Sequence, residues 1–260
     1  MMALMRIATW NVNSIRAREE RLANWLKAQA PDVLCLQELK VTEADFPFAA
    51  VAALGYHAAA FGQKTYNGVA ILSREEPQDI HRGMEDGVDD PQARLISARV
   101  QGIRVVSAYV PNGQTVGSEK WVYKLAWLGR LRSWLGAHLA PGEPFVLCGD
   151  FNVAPDDRDV ARPEEWNDSV LCHPEVRAAL GAVVGLGLED LFRRHHAEGG
   201  FYSWWDYREL GFPKNNGLRI DHLYGNAALA ARSTGAEIDR NERKGKLPSD
   251  HAPVIVELSS

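Results

Sequence analysis

In Phe145-Val146-Leu147-Cys148-Gly149-Asp150-Phe151-Asn152, an apolar run of strand-forming residues stops at a glycine, and two polar side chains follow. An extended backbone sends successive side chains to opposite faces, so Asp150 and Asn152 share one face while Phe151 takes the other. Runs of the same kind, many rich in Val, Ile and aromatic residues and bounded by Gly or Pro, occur at Arg6–Trp10, Asp32–Gln37, Tyr56–Gly62, Gly68–Ser73, Leu95–Val100, Arg104–Val110, Leu218–Tyr224 and Ala252–Leu258. Between them lie helical patterns. Ile15, Leu22, Trp25 and Leu26 share a face after Ser14, a candidate N-cap. Behind Ser118-Glu119-Lys120, the residues Trp121, Leu125, Leu128, Leu131 and Leu135 recur at helical spacing, and a further helix is expected over Glu175–Val184. Strands and helices alternate from end to end, with no long linker, low-complexity tract or repeat. This pattern predicts one α/β domain over residues 1–260 with many strands.

Composition bounds what such a domain does. The 260 residues (28.8 kDa) are 46% hydrophobic and 24% charged, ordinary for a globular chain. No run approaches the roughly 18 apolar residues of a membrane span, and the segment Met1 to Trp10 has no secretion-signal pattern. Cys35, Cys148 and Cys172 are odd in number and lack metal-type spacing, so buried free thiols and a cytoplasmic protein are expected. The net charge of −5 excludes a chain that grips nucleic acid by overall basicity. Any such contact needs a local basic patch and a cation among acidic ligands.

Four more segments repeat the design of the first. They are Trp10-Asn11-Val12-Asn13-Ser14, Leu36-Gln37-Glu38-Leu39-Lys40, Leu218-Arg219-Ile220-Asp221-His222 and Ser249-Asp250-His251-Ala252-Pro253. Alone, each reads as Asn or Asp capping a strand-end turn, and Asp221 reads as a structural ion pair to Arg219. Together they supply carboxylates at 38, 150, 221 and 250, amides at 11 and 152, and a histidine at 251. Phosphodiester cleavage needs those parts: oxygen ligands for a hard cation, a group to activate water, and donors for developing charge.

The segments WNVNSIR, LQELK, YVPNG, CGDFNVAP, SWWDYR, LRIDH and SDHAP, in this order across residues 7–256, resemble the successive signatures of the exonuclease III family of the endonuclease/exonuclease/phosphatase superfamily. The resemblance implies a four-layer α/β sandwich of two packed mixed β-sheets flanked by helices. It implies a Mg²⁺ site (Mn²⁺ as substitute) with Glu38 as principal ligand, Asn11 beside it, and Asp150, Asn152, Asp250 and His251 around it. Asp150 would orient or deprotonate water, Asn152 would bond the scissile phosphate, and His251, held in one tautomer by Asp221, would stabilise transition-state charge. Tyr109 would contact the phosphate or leaving oxygen. Asn13, Lys40, Asn112, Trp204 and Arg219 would face substrate, with Trp204 walling a pocket for a base-free sugar.

The implied partner is double-stranded DNA with abasic sites or blocked 3′ ends, cut 5′ to the lesion. The same site would serve as 3′→5′ exonuclease and 3′-phosphatase, with loops Pro155–Pro163 and Arg208–Asn216 tracking the backbone. No membrane partner is implied, and a monomer is the expected state. His195 and His196 read as surface residues, and His222 should point away from Asp221. Two alternatives carry the same scaffold: a superfamily phosphodiesterase for lipid or RNA, and a non-catalytic RNA- or protein-binding regulator. The segments WNVNSIR, SWWDYR and LRIDH weigh against the first, and intact residues at 38, 150, 152, 221 and 251 weigh against the second.

Overall fold

The strand formers assemble into two six-stranded sheets in the computed structural model, which describes residues 4–140 and 142–259. The extension ahead of Arg6 lies partly outside the described residues. The strands are β1 (Leu4–Asn11), β2 (Val33–Gln37), β3 (His57–Phe61), β4 (Val69–Ser73), β5 (Gln78–Arg82), β6 (Leu95–Val100), β7 (Ile103–Tyr109), β8 (Phe145–Asp150), β9 (Leu188–Asp190), β10 (Asp221–Asn226), β11 (Ser233–Ile238) and β12 (Val254–Ser259). The helices are α1 (Glu19–Gln29), α2 (Phe48–Ala53), α3 (Glu119–His138), α4 (Pro163–Trp166), α5 (Pro174–Val184) and α6 (Ala227–Ala230). One sheet runs β11-β12-β1-β2-β4-β3 and the other β5-β6-β7-β8-β10-β9.

Each sheet contains one parallel pair, β1 with β2 and β7 with β8, and the remaining pairs are antiparallel. A parallel pair needs a crossover, and α1 and α3 supply the two. On α1, Leu22, Trp25 and Leu26 pack on Trp10, Leu34 and Leu36; on α3, Trp121, Leu128, Leu131 and Leu135 pack on Phe145, Leu147 and the α5 residues Val176 and Leu180. The inner faces meet through Ile7, Cys35 and Ile71 from one sheet and Val105, Val146, Cys148 and Leu223 from the other. The result is the expected four-layer sandwich. All three cysteines are free and buried.

Period-two alternation carries each inner face to a polar end. On β1, Met5 and Ile7 face the other sheet, Thr9 follows, and Asn11 ends the row; on β8, Val146 and Cys148 lead to Asp150. Gln37 closes β2 and bridges the sheets, donating to Thr9 Oγ1 (3.0 Å) and Ser107 Oγ (3.1 Å). The polar residues therefore collect at one mouth of the sandwich. Gly149 is required there. Its φ is +145°, and a Cβ would stand 1.8 Å from the Ala108 carbonyl oxygen of β7.

Several expectations need correction. The strands β5, β9 and β11 have no counterpart among the expected runs: β5 and β9 are the two edges of the second sheet and β11 is one edge of the first, and few of their side chains are fully buried. Leu218–Tyr224 becomes a strand only from Asp221; residues before it make isolated bridges to Val160 and Trp204. Ser14 does not cap α1. Its Oγ accepts a 3.4 Å bond from Ala17 N–H in a short 3₁₀ turn, and α1 begins at Glu19. Ser118 does cap α3, accepting from Trp121 N–H. Among the described residues, no helix is long and apolar enough to cross a membrane.

Candidate active site

Asn11, Gln37, Tyr109 and Asp150 end their strands at the same mouth, and Asp221 begins β10 there, opposite Asp150. Past the strand ends the chain turns sharply. Asn13, Glu38, Lys40 and Asn152 all adopt left-handed φ between 45° and 56°, a conformation costly for non-glycine residues and frequent at functional sites. Asn13 N–H bonds Asn11 Oδ1 (2.9 Å), and Asn152 N–H bonds Asp150 Oδ1 (2.8 Å). These Asx turns are the capping role the residues suggest singly. For Asp150 the turn occupies one oxygen and leaves Oδ2 facing the cavity residues.

That oxygen is the hub. Asn11 Nδ2 donates to Asp150 Oδ2 and to Glu38 Oε1, each at 2.9 Å, holding the two carboxylates together. Asn11 thus turns its amide nitrogen to the carboxylates and its oxygen to the Asn13 amide. Tyr109 OH donates to Glu38 Oε1 (2.9 Å), and Lys40 Nζ pairs with Glu38 Oε2 (2.9 Å) and reaches Asn13 Oδ1. His251 Nε2 stands 3.7 Å from Asp150 Oδ2, while its Nδ1 bonds Asp221 Oδ2 (2.8 Å). Asn112 Nδ2 donates to Asn152 Oδ1 (3.0 Å). Asp250 accepts from Asn13 Nδ2 (2.9 Å) and from Trp204 Nε1 (3.0 Å). A cavity of about 640 Å³ opens over this floor, with Trp204 and Trp166 edge-to-face in its wall (ring centroids 5.8 Å apart).

The electrostatics follow from burial. Desolvation raises the Asp150 carboxyl well above its ordinary range; His251 opposes this and Asp221 adds to it. Burial alone would lower His251, but Asp221 and then Asp150 overcome it and raise the imidazole, so the site favours imidazolium. A ring protonated on both nitrogens donates and does not ligate. Ligand atoms of Glu38, Asp150 and His251 lie within 4.8 Å of one another. The hard carboxylate oxygens of Glu38 and Asp150 in this group fit a hard divalent ion.

Arg219 is not part of this constellation. Expected to face substrate, it is 1% exposed and turned the other way, bonding Asp159 (2.7 Å), Asp190 (2.7 Å) and His222 Nδ1 (3.0 Å). Asp221 therefore takes no ion pair from it. His222 points away from Asp221, as its position predicts, and donates through Nε2 to Val153 O (2.9 Å). Trp205 is buried and Trp204 lines the cavity. His195 and His196 are half-buried rather than superficial: His195 bonds Ser233 Oγ, and His196 stacks on Phe192. Sequence reasoning missed Ser203, whose hydroxyl donates to Asp221 Oδ2 (2.6 Å), and Ser249, which ties the His251 turn to Asn11 O (2.7 Å). Both serines begin motifs already singled out, which was the available signal. Trp166 carried none.

This fold and this mouth define a member of the endonuclease/exonuclease/phosphatase superfamily: the model of the Endonuclease/Exonuclease/phosphatase family matches residues 8–251, a span containing every residue of the site. Exodeoxyribonuclease III of Haemophilus influenzae is 35% identical over 266 residues, covering 98% of this chain and 100% of that protein. An AP endonuclease from Archaeoglobus fulgidus matches at 40% identity with a TM-score of 0.94, covering 97% of this chain and 98% of its own. A 3′ phosphatase from Neisseria, solved bound to product DNA hairpin, matches at 43% identity with a TM-score of 0.96, covering 98% and 100%. Within the superfamily, the chain belongs to the exonuclease III and AP endonuclease family.

Proposed function

We infer that this chain is a DNA repair nuclease that incises duplex DNA 5′ to abasic sites and also acts as a 3′→5′ exonuclease and 3′-phosphatase. One observation carries the reading. Glu38, Asp150 and the hydrogen-bonded Asp221–His251 pair, drawn from both sheets, converge with the ligand atoms of Glu38, Asp150 and His251 within 4.8 Å of one another on the floor of a tryptophan-walled cavity. A binding-only protein has no use for a histidine oriented by a buried aspartate beside a second, proton-seeking one.

In this reading Asp150, its carboxyl raised by burial, takes the proton of the attacking water. His251, kept protonated and in register by Asp221, donates to the phosphoryl oxygen on which charge develops. Asn152, whose own amide hydrogens go to Val110 O and Asp150 Oδ2, accepts from Asn112 and so orients it to offer its second amide hydrogen to the phosphate, while Tyr109 holds Glu38 from the opposite side. Mg²⁺, or Mn²⁺ in its place, held by Glu38 and Asp150, would neutralise phosphate charge and polarise the scissile bond. Asp250 and Asn13 steady Trp204 and the Glu38 turn. Trp204, Trp166, Val170, Leu171 and Ile220 make the pocket partly apolar. An extruded nucleotide costs least to flip when it has no base to unstack, so such a pocket selects a bare deoxyribose. We propose a monomer acting in the cytoplasm, consistent with three free, buried cysteines.

The test is incision of a duplex carrying one synthetic abasic site, with excess Mg²⁺ and with chelator. Cleavage 5′ to the lesion should vanish in chelator and fall by at least about 1,000-fold in Asp150→Asn. A folded protein that leaves the duplex intact with Mg²⁺ and with Mn²⁺ would overturn the reading.

A further inference from the structure

Lys124 is fully buried on α3, in the same row as Trp121, Leu128 and Leu131, and none of the roles above employs it. A buried ammonium is costly unless every proton is bonded. Here each one is. Nζ donates to Asn112 O (3.0 Å), Asn152 O (2.7 Å) and Val170 O (2.7 Å). Those carbonyls belong to three separate loops, and all three residues line the active-site cavity. No carboxylate among the described residues hydrogen-bonds the ammonium; its bonds are to backbone carbonyls, and the Asp150 carboxylate acts on it only at a distance. The stem of Lys124 also passes beneath the Asn112-Gly113 turn: a Cβ on Gly113, whose φ is +95°, would lie 3.0 Å from Lys124 Cδ.

We propose that Lys124 is the positioning residue that sets the spacing of the Asn112 and Asn152 carboxamides, and through them the seat of the scissile phosphate. The proposal rests on the reading of those two amides given above. Three carbonyl oxygens converging on one point require a compact group with three diverging donors, which an ammonium is and a planar guanidinium is not. Asn152 holds a left-handed φ of 49°, a costly conformation for asparagine, and the ammonium bond adds a backbone anchor to those its amide groups make with Asp150 and Val110. Anchored to a twenty-residue helix, the ammonium makes the two loops one rigid unit. Without it, three buried carbonyls would turn towards water and the carboxamides would separate.

The experiment is steady-state incision of the abasic duplex in excess Mg²⁺ by Lys124→Met, which keeps an unbranched stem and removes the donors. Alongside run Asn112→Ala, Asn152→Ala, their double variant, and that double variant carrying Lys124→Met. Near-ultraviolet circular dichroism establishes folding. We expect kcat to fall about 10- to 100-fold with KM within about threefold, since misplacement by an ångström costs up to about 100-fold. In the double-Asn background, Lys124→Met should cost less than about threefold more, because groups acting as a unit are non-additive. Wild-type kcat in folded Lys124→Met, or an undiminished loss in the double-Asn background, overturns the inference. If Lys124→Met does not fold, Lys124→Arg carries the test: a kcat loss at unchanged KM supports it, and wild-type kcat refutes it. Wild-type kcat in both Asn single variants would remove the phosphate reading and Lys124's role with it, whereas losses there without a Lys124 effect would remove only the latter.

Discussion

His222 and His251 are both buried, yet their surroundings drive them in opposite directions. Asp221, Asp150 and Asp250 all raise His251, whereas burial and the Arg219 guanidinium push His222 down to about 4. At His222 the folded protein binds fewer protons than the unfolded chain between pH 4 and the ordinary value near 6.5. Stability therefore rises with pH across that window and is lost as pH falls through it. Between pH 7 and pH 5 this single group should remove on the order of 2 kcal/mol. Urea midpoints at the two pH values should differ less in His222→Gln than in the wild type, and equal differences would refute the assignment. At this scale the sequence was most informative where alternation applied. Asn11, Asp150 and Asp221 were legible because each sits at the end of a strand whose inner face is mostly apolar. Arg219 was misread for the same reason: alternation would place it beside Asp221, but β10 starts only at Asp221, so the rule did not yet hold. Lys124 was visible as a lysine in an apolar helical row, but nothing in the sequence reveals which carbonyls it meets.

Among elements, the ends of β8 and α3 offer a contrast. Ser118 closes the first turn of α3 with one hydrogen bond at 3.2 Å, so Ser118→Ala should cost about 1 kcal/mol. Gly149 lies against the β7 backbone with no room for a methyl group, so Gly149→Ala must push β8 away from β7 within the central parallel pair. We expect more than about 3 kcal/mol of destabilisation from it, measured as a shift in urea midpoint for both variants. Similar shifts would mean that the β7–β8 contact is looser than described. Buried strands and the long amphipathic helix were legible because their patterns record burial on one or both faces. The edge strands β5, β9 and β11 were not. A short polar strand at a sheet margin is specified by its neighbour's free backbone groups, which leave little trace in its own composition.

The whole molecule determines whether there is a site at all. Asn11 and Glu38 belong to one sheet, Tyr109, Asp150 and Asp221 to the other, and His251 to the turn entering β12. Incision activity and the near-ultraviolet tertiary signal should therefore disappear at the same urea concentration. Earlier loss of activity would point to local opening of the mouth. The net charge of −5 gives no hint of a DNA substrate. The basic residues that could meet phosphate are local, with Arg162, Arg208 and Lys214 lining a cavity that shares Trp166 and Asp206 with the active site.

The pairing of β1 with β12 also bears on synthesis. A ribosome makes Asn11 some way before His251, and β1 keeps one edge unpaired until Val254–Ser259 arrives to cover it. Until residues 250 and 251 are made, the nascent chain lacks the site's imidazole and the Asp250 that steadies Trp204. Until then it lacks the means to cut, and the site is complete only once β12 has joined β1.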